Sequence, residues 1–167
     1  MYIRTKMISG LPYAYLVDNE WTSKGARQKI RSYLGRVHEV GEEVALDFLS
    51  TLKEPIGGYV RGSSRKKIVD ELVLFELKKC GFSKVKRGYK KGRIRLDYGD
   101  EGFTKKIVLQ INEGHLCNHT IQEIISFKAM GDEHKDGYAL AERFVHAGIA
   151  IPKELFVAYF QKNHLKG

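Results

Sequence analysis

Three acidic side chains occupy positions where a divalent cation could be held. Asp97 belongs to one predicted strand, Glu113 follows the next, and Glu71 lies on a predicted helix. Carboxylate oxygens are the ligands that Mg²⁺ prefers, and a bound metal ion can activate water for phosphodiester cleavage. A Mg²⁺-dependent nuclease with Glu71, Asp97 and Glu113 as catalytic residues is therefore one hypothesis. The segment Gln110-Ile111-Asn112, which precedes Glu113, adds neither an acid nor a lysine to these three residues, and this weakens the hypothesis.

A second set of candidate ligands is His115, Cys117 and His119, which alternate along one short segment. Alternate side chains of an extended segment share a face, so these three could hold a zinc ion together. Zinc sites normally take further ligands from another part of the chain, and the sequence has no C-x-x-C pair. The alternative is a junction between a strand and a helix, with Cys117 in the core. We expect no metal and no other cofactor.

The charge indicates a polyanionic partner. The 167 residues include 29 Lys and Arg against 20 Asp and Glu, a net charge of +9. The excess lies in two zones, with +4 in residues 1–40 and +10 in residues 61–95, whereas residues 96–167 are slightly acidic. A solvated surface more often intersperses its signs. Such clustering is typical of proteins that bind nucleic acid.

The first basic zone interleaves cations with aromatic residues. Cations can contact phosphates, and aromatic rings can stack on bases. The alternative is that the tyrosines Tyr2, Tyr13, Tyr15 and Tyr33 pack in the core and between strands. The candidate nucleic-acid-binding residues here are Arg4, Lys6, Trp21, Lys24, Arg27, Lys29, Arg31 and Arg36.

The second zone surrounds a predicted helix start and a hairpin. Cations at a helix N-terminus oppose the helix dipole at a cost of about 0.3–1 kcal/mol each, which favours an external anion near that end. A basic hairpin can follow phosphates, although lysines also protect the edge of a sheet from pairing. The candidate binding residues here are Arg65, Lys66, Lys67, Lys84, Lys86, Arg87, Lys90, Lys91, Arg93 and Arg95.

The N-terminal part predicts a small β module. Tyrosine and basic side chains alternate with other residues over residues 2–7, and a turn at Ser9–Pro12 and a tyrosine-rich run follow. This pattern indicates a β-hairpin. Residues 26–37 fit either a strand with a basic face or an amphipathic helix. Residues 41–52 predict a short helix, and residues 54–62, with Pro55 and three glycines, predict a linker.

The remainder predicts a helix, three strands and three helices. The first helix starts at Ser63 or Ser64, ends at Cys80 and is followed by Gly81. Strands are expected over residues 82–89, 93–98 and 106–112, and a helix over 120–130. A polar loop over 131–137 and helices near 138–147 and 153–163 complete the pattern.

The segment RTKMISGLPYAYLVDNEW, followed by KGARQKIRSYLGRV, resembles the N-terminal β-hairpin region of insertion-sequence transposases. The resemblance covers about residues 3–37. It implies a strand for residues 27–34 and a surface that faces DNA. The rest of the chain, including INEG at residues 111–114, carries no recognisable transposase core and is similar to archaeal proteins of no assigned function.

The order helix, three strands, helix is similar to two nucleic-acid-associated folds. The double-stranded-RNA-binding domain has a comparable length, but its lysine-rich second helix corresponds here to His119-Thr120-Ile121-Gln122-Glu123. The restriction-endonuclease-like core is the fold implied by the nuclease hypothesis above. The catalytic motif of that core is degenerate in this chain, because Gln110-Ile111-Asn112 lacks the acid and the lysine that the core has on its third strand.

Together these observations predict an α+β protein with a basic β module over residues 1–58 and an α+β domain over residues 63–167. We expect a non-catalytic nucleic-acid-binding protein that prefers DNA to RNA, is cytoplasmic and has no membrane segment. The alternatives are the nuclease and a protein-interaction module. A homodimer or a protein partner would use the apolar C-terminal helices.

Overall fold

The N-terminal residues form three long antiparallel strands. The computed structural model describes residues 1–41 and 44–164, and in it β1 is Tyr2–Ile8, β2 is Leu11–Thr22 and β3 is Gly25–Glu39. The segment that fitted both a strand and a helix is therefore a strand. Along β2, Ala14 and Leu16 are buried while their tyrosine neighbours are half-buried, the period expected of a sheet with one covered face.

The rest of the chain combines helices with short strands, which confirms the α+β class. The helices are α1 (Ile56–Gly62), α2 (Arg65–Lys79), α3 (Asn118–Ile125), α4 (Glu133–Ala147) and α5 (Lys153–His164). The further strands are β4 (Ser83–Lys84), β5 (Tyr89–Lys91), β6 (Ile94–Leu96), β7 (Tyr98–Gly99), β8 (Gly102–Phe103), β9 (Ile107–Ile111) and β10 (Gly114–Leu116). Ser64 begins α2 as expected, because its side chain accepts a hydrogen bond from the Lys67 amide.

The strands form one large sheet and two small ones. The large sheet has the order β1-β2-β3-β9-β10, β4–β6 form a three-stranded sheet, and β7 pairs with β8. The third strand expected after α2 thus exists as β9, but it pairs in parallel with β3 rather than with β6. The parts expected as separate modules, residues 1–58 and 63–167, share this sheet.

The junction between β3 and β9 depends on a close backbone approach. Gly35 has a φ of 140° and is buried against the carbonyl group of Lys106. A Cβ at position 35 would lie 2.5 Å from that carbonyl carbon. Only glycine has both the conformational freedom and the missing side chain that this contact needs.

The main core lies around α2. Ile68, Leu72 and Leu77 on this helix are almost fully buried and belong to one cluster with residues of β9 and of the three C-terminal helices. A smaller cluster on the other side of the large sheet joins Ala14, Val37 and Val108 to Cys117. The large sheet is therefore covered on both faces near β9, and less so toward β1.

Two predictions between residues 41 and 62 are wrong. The helix expected over 41–52 is reduced, within the described residues, to a single 3-10 turn at Leu49–Thr51, because the Val44 amide donates to the Lys79 carbonyl instead of forming a helical bond. Glu42 and Glu43 lie outside the described residues. The linker expected over 54–62 contains α1, whose Tyr59 and Val60 are buried. Burying two such side chains outweighs the low helix propensity of the glycines.

The boundaries of two later helices also differ from the prediction. α3 ends at Ile125, and the Phe127 amide closes the turn on the Ile124 carbonyl. α4 begins at Glu133, inside the expected loop, because the Asp132 side chain accepts a hydrogen bond from the Lys135 amide. Across the described residues, no helix combines the length and the apolar character that crossing a membrane requires.

Candidate nucleic-acid interface

One face of β1–β3 carries three tyrosine rings close to one another. Tyr15 pairs with Arg4 on β1 and with Tyr33 on β3. The ring centroids of Tyr15 and Tyr33 are 5.4 Å apart, and the Tyr13 ring lies 6.2 Å from that of Tyr33. Successive side chains of a strand point to opposite faces, so the intervening Ala14 is buried on the other side. The rings form a partly exposed patch.

Basic side chains surround this patch. Lys6 Nζ lies 5.6 Å from the centre of the Tyr15 ring, and Lys106 Nζ lies 5.7 Å from that of the Tyr33 ring. A cation over an exposed ring contributes only about 0.5–1 kcal/mol, so an anionic ligand can compete for both ammonium groups. We call this surface the tyrosine face. It comprises Arg4, Lys6, Tyr13, Tyr15, Tyr33, Arg36 and Lys106.

The ionisation of neighbouring groups does not add negative charge to the tyrosine face. Partial burial, assisted by Tyr13 and Tyr15, raises the pKa of Tyr33, so its hydroxyl group is neutral at pH 7. Burial, together with the nearby Arg36 guanidinium, lowers the pKa of His38 on β3. The imidazole is therefore neutral at pH 7, and the positive charge there comes from lysine and arginine.

A cavity of about 190 Å³ joins the tyrosine face to the small sheet β4–β6. Its walls include His38 on β3, Arg95 on β6, and Lys105 and Lys106 in the loop before β9. Lys106 belongs to both surfaces because its ammonium group also lies over Tyr33. Arg95 is therefore the residue through which the second basic zone meets the first.

The small sheet presents further cations. Lys90 pairs with Arg95 and with Ser83, so these side chains share one face. Lys91 has a structural role, since its ammonium group donates a hydrogen bond to the Val40 carbonyl and ties β5 to the end of β3. The other exposed cations of this sheet and its turns are Lys84, Lys86, Arg87 and Arg93.

The three cations at the start of α2 have partners within the chain. Arg65 donates to the Phe127 carbonyl at 2.9 Å, and Lys66 forms an ion pair with Asp70. Lys67 Nζ lies 3.9 Å from Glu71. These partners offset part of the cost of placing cations at this end of the helix.

Beyond Tyr2, the first residue of β1, strands β2 and β3 continue as a two-stranded ribbon. Lys29 Nζ lies 2.9 Å from Glu20 Oε1, and a guanidinium nitrogen of Arg31 lies 3.0 Å from Asp18 Oδ2. These pairs compensate the charge of two cations that the sequence assigned to nucleic acid. Trp21 is 85% exposed near the tip. Lys24 and Arg27 are also exposed there.

The three acids of the nuclease hypothesis do not come together. Asp97 lines the cavity that holds Arg95 and two lysines, Glu71 accepts a hydrogen bond from the Tyr59 hydroxyl at 2.5 Å beside a second cavity, and Glu113 lines a third. Among residues 1–41 and 44–164, no three histidine, cysteine or acidic side chains are grouped so that they could hold a metal ion.

The alternating histidines and cysteine also separate. Cys117 is buried in the smaller core cluster, and its sulfur lies 3.7 Å from the Thr120 hydroxyl oxygen. His115, His119 and His146 line a cavity of about 360 Å³, together with Ile3 on β1 and Leu16 on β2. Burial and the neighbouring His146 lower the pKa of His115. This segment is the strand–helix junction that was the alternative to a zinc site.

The C-terminal helices expose part of the apolar surface that suggested a partner. On α4, Tyr138 and Val145 are 70% and 62% exposed and lie two turns apart on one side of the helix. On α5, Leu155 and Tyr159 are instead fully buried in the main core. Most of the apolar character of α5 is thus used in folding.

Sequence reasoning missed His38, Lys105 and Lys106. The two lysines precede a predicted strand, but no local pattern shows that this strand adds to the N-terminal sheet and places them beside Tyr33. Comparison of the chain with models of protein families, with curated proteins and with solved structures finds no match.

Proposed function

We propose that the chain is a non-catalytic nucleic-acid-binding protein that contacts the phosphate backbone through the tyrosine face and the small sheet. The observation that carries the proposal is the continuity of these surfaces. Lys106 lies over a tyrosine ring on one side and lines the cavity that holds Arg95 on the other. A continuous basic surface with aromatic groups offers cations to the phosphates and rings to the bases of a nucleic acid.

The proposal favours DNA over RNA because of the resemblance of residues 3–37 to the N-terminal region of transposases. We propose binding without cleavage because Glu71, Asp97 and Glu113 line three different cavities rather than one. Arg65, Lys66 and Lys67 are no longer part of the proposed footprint, since their partners are Phe127, Asp70 and Glu71.

The test measures the salt dependence of binding by fluorescence anisotropy, with labelled single-stranded and duplex DNA and RNA. The charge variant replaces three cations of the tyrosine face, Lys6→Ala, Arg36→Ala and Lys106→Ala. Its control removes the same charge from exposed lysines elsewhere, Lys53→Ala, Lys128→Ala and Lys153→Ala.

Each lost phosphate contact reduces the slope of log K against log salt by about 0.7–0.9, so the charge variant is expected to lose about two to three units of slope. The control should keep the wild-type slope. Equal losses in both variants, or no binding at low salt, would contradict the proposal. A denaturing gel with Mg²⁺ present should show intact strands, and cleavage that Asp97→Ala abolishes would favour the nuclease.

A further inference from the structure

We infer that the tyrosine face binds the unpaired bases of a single-stranded nucleic acid, with Tyr15 and Tyr33 as the stacking rings. This inference rests on the proposed function and deepens it, because phosphate contacts alone do not distinguish a single strand from a duplex. The distinguishing groups are the aromatic rings.

The rings are arranged on an open sheet surface. The Tyr15 and Tyr33 planes are inclined by 50° with their centroids 5.4 Å apart, so the rings do not cover each other face to face. Tyr33 is 37% exposed, although it lies on β3, the central strand of the five-stranded sheet. In a duplex the faces of the bases are stacked on one another, so rings on a flat sheet can be reached only by bases that are unpaired.

An irregularity in the sheet contributes to this exposure. Tyr15 pairs with Tyr33, but the preceding residue Ala14 pairs with Gly35, so Leu34 is an extra residue in β3. A β-bulge of this kind redirects the neighbouring side chains and often occurs beside a functional site. The backbone contact of Gly35 with Lys106 holds the bulge against β9.

The lysines over the rings supply the matching charge. Lys6 lies over Tyr15 and Lys106 over Tyr33, each at a distance typical of an exposed cation–π contact. A base that stacks on a ring displaces the ammonium group toward the phosphate of the same nucleotide. The neutral Tyr33 hydroxyl does not repel that phosphate. Each ring and its lysine can thus serve one nucleotide.

The same face continues along β2 toward the tip of the ribbon. The Tyr2 hydroxyl donates to Asn19 Oδ1 at 3.4 Å and accepts a hydrogen bond from the Gln28 side chain. Trp21 shares the side of β2 that carries Tyr13 and pairs with Ala26 on β3. The distance from Tyr13 to Trp21 is about 27 Å for a strand rise of about 3.4 Å. Val17 lies between them on this side and is buried, so Trp21 is an aromatic group separate from the tyrosine rings.

The experiment compares a 12-nucleotide labelled single strand of mixed DNA sequence with its duplex, and with the RNA of the same sequence. The ring variant is Tyr15→Leu with Tyr33→Leu, and the matched control is Tyr15→Phe with Tyr33→Phe, which keeps both rings. Circular dichroism and thermal melting check that each variant folds. Wild-type protein is also photocrosslinked to a strand carrying 5-iododeoxyuridine, so one readout does not depend on a substitution.

The wild type should bind the single strand at least about 10-fold more tightly than the duplex. The leucine variant should lose about 5- to 100-fold per ring for the single strand, and the phenylalanine control should lose little. The crosslinks should map to the peptides containing Tyr13, Tyr15 or Tyr33.

Three results overturn the inference. Equal affinity for single strand and duplex does so, and so does an unchanged affinity of a folded leucine variant. Crosslinks confined to other peptides also overturn it. This readout uses the wild-type protein, so it applies even if the leucine variant does not fold. In each of these cases the proposed function would still be supported if the charge variant shows a smaller slope of log K against log salt than the wild type. Absence of binding to every probe would remove both.

Discussion

Replacing Gly35 with alanine tests whether the N-terminal strands depend on one backbone contact for their position. The added Cβ would lie 2.5 Å from both the carbonyl carbon and the carbonyl oxygen of Lys106, a contact that forces the two backbones apart. The φ of 140° adds strain, because residues other than glycine rarely adopt it. Strain of this kind costs about 1–3 kcal/mol, and overpacking adds about 1–3 kcal/mol. We expect Gly35→Ala to destabilise the protein by about 2–6 kcal/mol.

The control separates strain from the clash. Gly25 also has a positive φ, 103°, but a Cβ there meets no atom within 4 Å. Gly25→Ala should therefore cost only the strain. Urea unfolding gives both free energies, and in thermal melting the difference between the variants should be several degrees for a chain of this size. Because Lys106 carries the contact, Gly35→Ala should also weaken nucleic-acid binding. If Gly35→Ala unfolds at the same urea concentration as Gly25→Ala, the junction is not held by this contact.

Two further predictions concern folding of the body. Glu76 is fully buried and accepts hydrogen bonds from the Ala150 amide at 2.9 Å and from Lys79 at 3.1 Å. Glu76→Ala should therefore lower the free energy of unfolding by about 3–5 kcal/mol, more than Glu76→Gln does. Equal effects in urea would contradict this and would show that loss of the charge alone accounts for the destabilisation. The hydrogen bond from the Lys135 amide lowers the pKa of Asp132 below its ordinary 3.8, so the stability that this cap contributes is present above pH 3.8 and is lost as the pH falls through the lower folded value. Asp132→Asn should remove that part of the loss of stability at low pH. The check is to measure the melting temperatures of the wild type and the variant from pH 2 to 6. A difference between the two proteins that stays constant over this range would contradict the prediction.

Local signals predicted the elements whose ends are set by neighbouring residues. Ser64 and Gly81 bracket α2, and both act as expected, because capping groups satisfy backbone atoms only a few residues away. Local signals failed where burial decided the structure. The glycines of residues 56–62 predict a linker, yet the burial of Tyr59 and Val60 against the core makes this segment helical.

At residues 25–39 the spacing of apolar side chains does not distinguish a strand from a helix. These residues fit a strand and a helix equally well, and the resemblance to transposases favoured the strand. Hydrogen bonds to β2 along its length and to β9 at its end stabilise the strand in the folded chain. Neither set of partners can be identified from the segment itself.

The sequence by itself determined the α+β class, the two zones of positive charge and the tyrosines interleaved with the first zone, because these follow from composition and short-range order. Which cations act together was decided by the tertiary structure. Pairing of β3 with β9 places Lys106 over Tyr33 and beside Arg95. At the start of α2, Lys66 and Lys67 instead pair with acids one turn along the helix, and Arg65 donates a hydrogen bond to the Phe127 carbonyl. Long-range strand pairing depends on the burial of residues far apart in the chain, so no local pattern records it.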